Sequence, residues 1–257
     1  MKMKDKISSV CLLRIFVLTA CLLFSKPTQA QEPISNEYRL IFVPTYAISK
    51  DLFLTSYLGY VNNADNKTVS TYVGLPGLFV YKLNPNFQAQ GGAFLIFNND
   101  NSPSNKDNKE LRFVIGEKIN LPNSHNLRLS NWTRYELRSF NYEDNNLDKT
   151  NNRFRSRFAI EFPISKNAWQ PKSWYGISDF EVFYTVEKCF FDKFRQRFGL
   201  GYIVDKQWTL NLVYHIQLDR TAKDLRPTWT TNIFRLDVRW TIPHRKHTPL
   251  TDAPDAD

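Results

Sequence analysis

From residue 35 onward, apolar and polar residues alternate with a period of two, the period of a strand whose successive side chains point to opposite faces. The clearest stretch is Phe234-Arg235-Leu236-Asp237-Val238-Arg239-Trp240, with every apolar residue on one face and every charge on the other. Phe154, Phe158, Ile160 and Phe162 likewise oppose Arg155, Arg157 and Glu161. Phe180, Val182, Tyr184 and Val186 oppose Asp179 and Glu181, and Phe194, Phe198, Leu200 and Tyr202 oppose Arg195 and Arg197. Trp208, Leu210, Leu212, Tyr214, Ile216 and Leu218 oppose Thr209, Asn211, His215 and Gln217. Further strands are expected near 37–48, 51–62, 68–83, 87–98, 109–120 and 126–141.

These segments run longer than the five or six residues, roughly, of ordinary soluble strands. They match the roughly 9–11 tilted residues of a strand that crosses a membrane. Long connections, Asn/Asp-rich at 98–109 and 141–152 and also long at 218–228, alternate with tighter ones (84–86, 121–125, 205–207), with 165–173 the exception on the tighter side. Long loops at one end and short turns at the other are the habit of outer-membrane barrels. The expectation is an all-β, antiparallel transmembrane barrel. The segments number eleven, but such barrels carry an even number of strands in bacterial single chains, so twelve are expected, with ten as the alternative.

The first thirty residues do not share the pattern. Lys2, Lys4 and Lys6 precede an apolar run from Ile15 to Phe24, and Thr28-Gln29-Ala30 offers a small residue at a cleavage point. This reads as a signal peptide over 1–30, too short in its apolar part to span a bilayer. Leu18-Thr19-Ala20-Cys21 resembles a lipobox, but Leu22-Leu23-Phe24 continues the apolar run beyond it, and Cys21 is read as part of that run. The barrel then occupies 31–242 and a polar tail 243–257. Removing the segment takes away five cations and one anion, so the net charge of +9 falls to +5. Cys11 and Cys21 leave with it, and the remaining Cys189 is expected to be a packed thiol with no disulfide partner.

Composition agrees with a barrel. Aromatic residues make up 15% of the chain, while 42% hydrophobic content is too little for a helical membrane protein and enough when only alternate residues meet lipid. Trp132, Trp169, Trp174, Trp208, Trp229 and Trp240 fall mostly near strand ends or in loops, where aromatic girdles would place several of them.

An ordered set of short motifs carries a resemblance. It comprises Leu75-Pro76-Gly77-Leu78 with Tyr81, Gly91-Gly92, Glu110-Leu111-Arg112 and Arg134-Tyr135-Glu136-Leu137-Arg138. Arg153-Phe154-Arg155, Phe180-Glu181-Val182-Phe183 and Arg197-Phe198-Gly199-Leu200-Gly201-Tyr202 complete it. In their order they resemble an uncharacterised bacterial family, domain of unknown function 2490, whose members are taken to be outer-membrane barrels. The resemblance implies a barrel and no particular activity.

The alternation assigns faces. Lumen-lining polar residues are expected at Glu110, Arg112, Arg134, Glu136, Arg138, Arg153, Arg155, Arg157, Glu161, Asp179, Glu181, Arg195, Arg197, His215, Arg235, Asp237 and Arg239. Lipid-facing positions are expected at Phe154, Phe158, Ile160, Phe180, Val182, Phe198, Leu200, Leu210, Leu212, Phe234, Leu236, Val238 and Trp240. Arginine pairs carboxylates bidentately and keeps its charge when buried. The lumen is therefore expected to be a rigid Arg–acid lattice or a narrow pathway for a small anionic solute.

Two other classes are weaker. A lipid-modifying barrel enzyme would need a nucleophile beside a base, and His215 is the sole strand histidine. His125 lies in a turn, and His244 and His247 in the tail make a poor metal pair. No enzyme activity, cofactor or metal is expected. Nucleic-acid binding is argued against by export and by acids interleaved with the basic residues, and a soluble periplasmic β-protein is the remaining alternative. The partners expected are outer-membrane lipids and, during biogenesis, the barrel assembly machinery.

Overall fold

The computed structural model describes residues 34–64, 68–100, 107–122, 126–142, 147–221 and 226–243. The expected signal peptide, its cleavage point, Cys21, His125 and nearly all of the tail lie outside them. The strands are β1 (Ser35–Ala47), β2 (Leu52–Asn63), β3 (Thr68–Asn84), β4 (Phe87–Asp100), β5 (Asn108–Leu121) and β6 (Arg128–Tyr142). They continue with β7 (Lys149–Pro163), β8 (Ser173–Thr185), β9 (Phe190–Ile203), β10 (Trp208–Asp219) and β11 (Thr228–Ile242). Among the described residues these eleven strands close into one barrel, each beside its chain neighbours.

The count corrects the expectation of twelve. Sequential pairs are antiparallel, but closure is made by β1 and β11 running parallel, from Ser35 opposite Thr231 to Tyr46 opposite Ile242. Evenness is required only if the closing pair is antiparallel. A parallel closing pair satisfies the same backbone donors and acceptors with slanted bonds, and the sheet is mixed. The described strand path enters at Ser35 on the end of the 101–107, 143–148 and 220–227 connections, called the long-loop end. It leaves at Ile242 on the short-turn end, that of 48–51, 85–86 and 204–207, which also carries the nine-residue connection 164–172.

The stagger sets the bore. From Arg39, the ladder through β2 to β5 reaches Tyr142 on β6, and the ladder through β11 to β7 reaches Arg128. Those two residues are 14 apart (142 less 128) on the same strand. With strands roughly 4.8 Å apart and a rise of roughly 3.3 Å per residue, this gives a tilt of about 40° and a backbone radius of about 11 Å. Inward arginines from opposite walls therefore nearly meet.

The faces are inverted relative to a water-soluble sandwich. Outward side chains are large and apolar, including Tyr38, Leu40, Phe113, Ile115, Leu200 and Leu212, all strongly exposed. Outward aromatics near the short-turn end pack in pairs: Trp174 on Tyr202 at 4.6 Å and Trp208 on Trp240 at 5.5 Å between ring centres. Trp132 departs from the expected girdle. It points inward and is buried, because it shares its phase with Arg134 on β6. Cys189 also departs from expectation. It is exposed, in left-handed conformation after a 3-10 turn, Val186–Lys188, that joins β8 to β9.

The inner face divides along the axis. Val43, Ala47, Phe53, Leu78, Val80 and Trp132 belong to one buried apolar cluster, and Tyr175, Ile177 and Val213 to a second. Most of these lie towards the short-turn ends of their strands. The charged residues gather at mid-barrel and towards the long-loop end.

Close approach at one place depends on glycine. The β3 ladder shifts between Val73 and Gly77, so the Leu75-Pro76-Gly77 motif falls in a bulge, where a proline costs no ladder hydrogen bond. Gly77 has φ +98, and a Cβ on Gly92 would lie 1.9 Å from the Gly77 carbonyl oxygen. Gly92→Ala should lower stability by about 2 kcal/mol or more, read as a lower urea midpoint of the detergent-folded protein at unchanged slope. Gly91→Ala, whose nearest contact would be an ordinary 3.7 Å, should stay within about 0.5 kcal/mol of the parent.

Candidate functional site

The inward phase of β5 to β11 assembles a lattice of guanidiniums and carboxylates. Glu136 (β6) is its centre and has no exposed surface. It takes Arg134 at 2.8 Å, Arg155 Nη1 at 3.0 Å, and Arg153, whose Nε donates at 2.9 Å. Arg155 also donates from Nε to Glu181 Oε1 at 3.0 Å, so it ties β6, β7 and β8 together. Arg138 grips Glu110 bidentately, Nε to Oε1 at 2.7 Å and Nη2 to Oε2 at 2.9 Å, and Arg112 donates to the same Oε1 at 2.7 Å. Arg197 Nε donates to Asp179 at 2.5 Å, and Arg235 Nε to Asp237 at 2.5 Å. Arg195 donates to Gln217 at 2.9 Å and lies 3.9 Å from Glu181.

Aromatic rings separate the like charges. Phe183, fully buried on β8, has Arg153, Arg155 and Arg195 within 5.1 Å of its ring centre. Trp132 has Arg134 at 4.5 Å and Arg157 at 4.7 Å. A desolvated cation over a ring is worth about 2 kcal/mol, enough to offset part of the repulsion between neighbouring guanidiniums.

At mid-barrel the side chains leave a cavity of about 280 Å³. Its lining holds ten arginines and Lys193 against Asp179 and Glu181. Adding the acids paired with these cations (Glu37, Glu110, Glu136, Asp219 and Asp237), eleven cations face seven carboxylates among the described residues. The opposite wall is apolar: Ile41, Tyr57, Val61 and Phe94 from β1, β2 and β4. Side-chain exposure rises from 6% at Arg134 and 8% at Arg197 to 28% at Lys193 and 31% at Asp219, which lie nearer the long-loop end. Towards the short turns, the space between Glu161, Ile177, Asn211, Asp237 and Arg239 shrinks to about 10 Å³.

Each residue placed in the lumen by alternation is buried or half-buried on the inward phase, from Glu110 on β5 to Arg239 on β11. They do not form one group. Most line or back the cavity, whereas Glu161 and Arg239 sit in the packed short-turn half, Glu161 3.8 Å from Arg128. Phe154, Phe158, Phe180, Leu200, Leu210, Leu212, Phe234 and Leu236 are exposed on the outward phase. Ile160, Val182, Phe198, Val238 and Trp240 share that phase and are half-buried by their neighbours.

His215 is 3% exposed, and its ladder partners are Ile233 and Arg197. Among the described residues no side chain hydrogen-bonds its Nε2, and no three His, Cys, Asp or Glu side chains come together as metal ligands. Alternation missed Arg39, Tyr57, Phe94, Phe183 and Lys193. Two of them carried a usable signal, Arg39 in its spacing from Glu37 and Lys193 in sharing the polar phase of Arg195 and Arg197. Phe183 sits in a phase expected to be polar, and Tyr57 and Phe94 lie where alternation names no face.

Glu136→Gln should cost about 3–5 kcal/mol, since three guanidiniums would lose their shared buried partner. Glu161→Gln should cost under about 1 kcal/mol, because its partner Arg128 is 41% exposed. Urea midpoints of both variants check the contrast.

The family model for a protein of unknown function, DUF2490, matches residues 45–226. No curated protein matches the chain.

Proposed function

The chain belongs to the DUF2490 family, and we propose that it is an outer-membrane barrel whose lumen is a blind, arginine-rich recess for a small anionic solute, without catalysis. The observation that carries the reading is the inversion of polarity around a closed wall. An outward belt of Leu, Ile, Phe and Tyr surrounds a lattice of buried ions. In water such a belt far exceeds the few hundred Å², roughly, that a soluble monomer exposes. In a bilayer it is the required surface, and closure leaves no unpaired strand edge.

Dimensions support this. At a tilt of about 40° the strands advance about 30–40 Å along the axis, beyond the roughly 25 Å apolar band of such barrels. The paired tryptophans at the short-turn end suit an interface, and outer-membrane lipids and the barrel assembly machinery are the partners this implies. The recess is blind because the short-turn half is packed with Phe53, Val80, Trp132, Tyr175 and Ile177.

In planar bilayers in molar KCl, purified protein should show no stable conductance steps; steady anion-selective steps would replace the recess with a pore. In intact cells a membrane-impermeant maleimide should label native Cys189, exposed at the long-loop end. A Lys206→Cys variant in a Cys189→Ser background should stay unlabelled until the cells are lysed. Recovery of the protein as a freely soluble periplasmic species would remove the membrane reading altogether.

A further inference from the structure

We propose that the mid-barrel cavity binds an aromatic carboxylate of one or two rings, an inference that rests on the blind-recess reading. Charge alone would select any anion. Three further features narrow the choice.

The first is the division of the lining. One side is guanidinium, with Arg157 and Arg235 among its members; the other is Ile41, Phe94 and Tyr57. Tyr57 and Phe94 already meet edge to face at 5.1 Å, an arrangement that accepts a further ring. A bare phosphate would strand that wall against water, whereas a flat apolar body covers it.

The second feature is two buried polar groups. The Tyr57 hydroxyl and His215 Nε2 both belong to residues that line the cavity, both are sealed from bulk solvent, and neither has a hydrogen-bond partner among the described residues. Buried polar groups are nearly always satisfied, so these two mark positions for a ligand's carboxylate or ring hydroxyl. Tyr57 donates to an oxygen. His215 donates or accepts according to tautomer.

The third feature is size. About 280 Å³ lies at the lower edge of small-molecule pockets, room for one compact ligand and no more. A carboxylate on paired guanidiniums gains bidentate geometry as well as charge.

The test is calorimetric titration of the detergent-folded mature chain in an uncharged detergent, with empty micelles as the partition control. The probes are 2-naphthoate, 2-naphthylmethylamine and inorganic phosphate. Naphthoate should bind with a Kd below about 1 mM and at least about ten-fold more tightly than either other probe. It should also raise the unfolding temperature of the unmutated protein in step with its concentration, a readout that needs no variant. Phe94→Ser should weaken naphthoate about ten-fold and leave phosphate unchanged, with heat-modifiable migration reporting that the variant folds. Phosphate binding as tight as naphthoate, or equal binding of the amine, would overturn the proposal. So would naphthoate that neither binds nor stabilises, and a silent bilayer recording would then leave the blind barrel standing. Conductance steps would instead remove the recess on which the proposal rests.

Discussion

Closure of the sheet through the parallel pair β1 and β11 leaves every strand hydrogen-bonded on both sides. The rest of the molecule follows from that constraint. Once the sheet is a tube, each residue of a period-two sequence has one of two fates, lumen or exterior. A one-residue slip anywhere would turn charges outward and phenylalanines inward. The stagger of the ladder then fixes the bore, and the bore decides how far an arginine from one wall lies from a carboxylate on the next.

At that bore, burial makes the ionic residues interdependent. Glu136 without its guanidiniums would be a dry carboxylate, and the guanidiniums without Glu136 would be unshielded neighbours of one another. The rings of Phe183 and Trp132 take up part of the repulsion that carboxylates leave uncancelled. Even so the cations outnumber the acids around the cavity. The proposed anion recess rests on this excess among the described residues, because the cations there are already desolvated and held in place.

The two ends of the tube differ for a reason that lies in β1 to β4. Their inward residues are largely aliphatic or aromatic, and these pack with Val114 and Trp132, while a separate cluster of Tyr175, Ile177 and Val213 fills the far side. The same strands supply the apolar wall of the cavity. One sector of the barrel therefore both stops the lumen at the short turns and gives the recess an amphipathic lining. A long-loop mouth, a cationic middle and a packed floor follow from where apolar residues interrupt the polar phase.

The sequence by itself determined the strands, their faces and the membership of the lattice in β5 to β11. There the two phases differ in chemistry as sharply as Phe234 and Arg235, and strand geometry converts that difference directly into direction. The matching short motifs, from Leu75-Pro76-Gly77 to Arg197-Phe198-Gly199, also carried the family, which the match over residues 45–226 bears out. In β1 to β4 both phases are apolar, as at Ile41-Phe42-Val43, so alternation there names no face. Only the closed structure decided that Tyr57 and Phe94 point at the arginines, that Trp132 is a spacer between guanidiniums, and that eleven strands suffice. These are outcomes of register and stagger, summed around the whole ring from pairings that no local stretch of sequence contains.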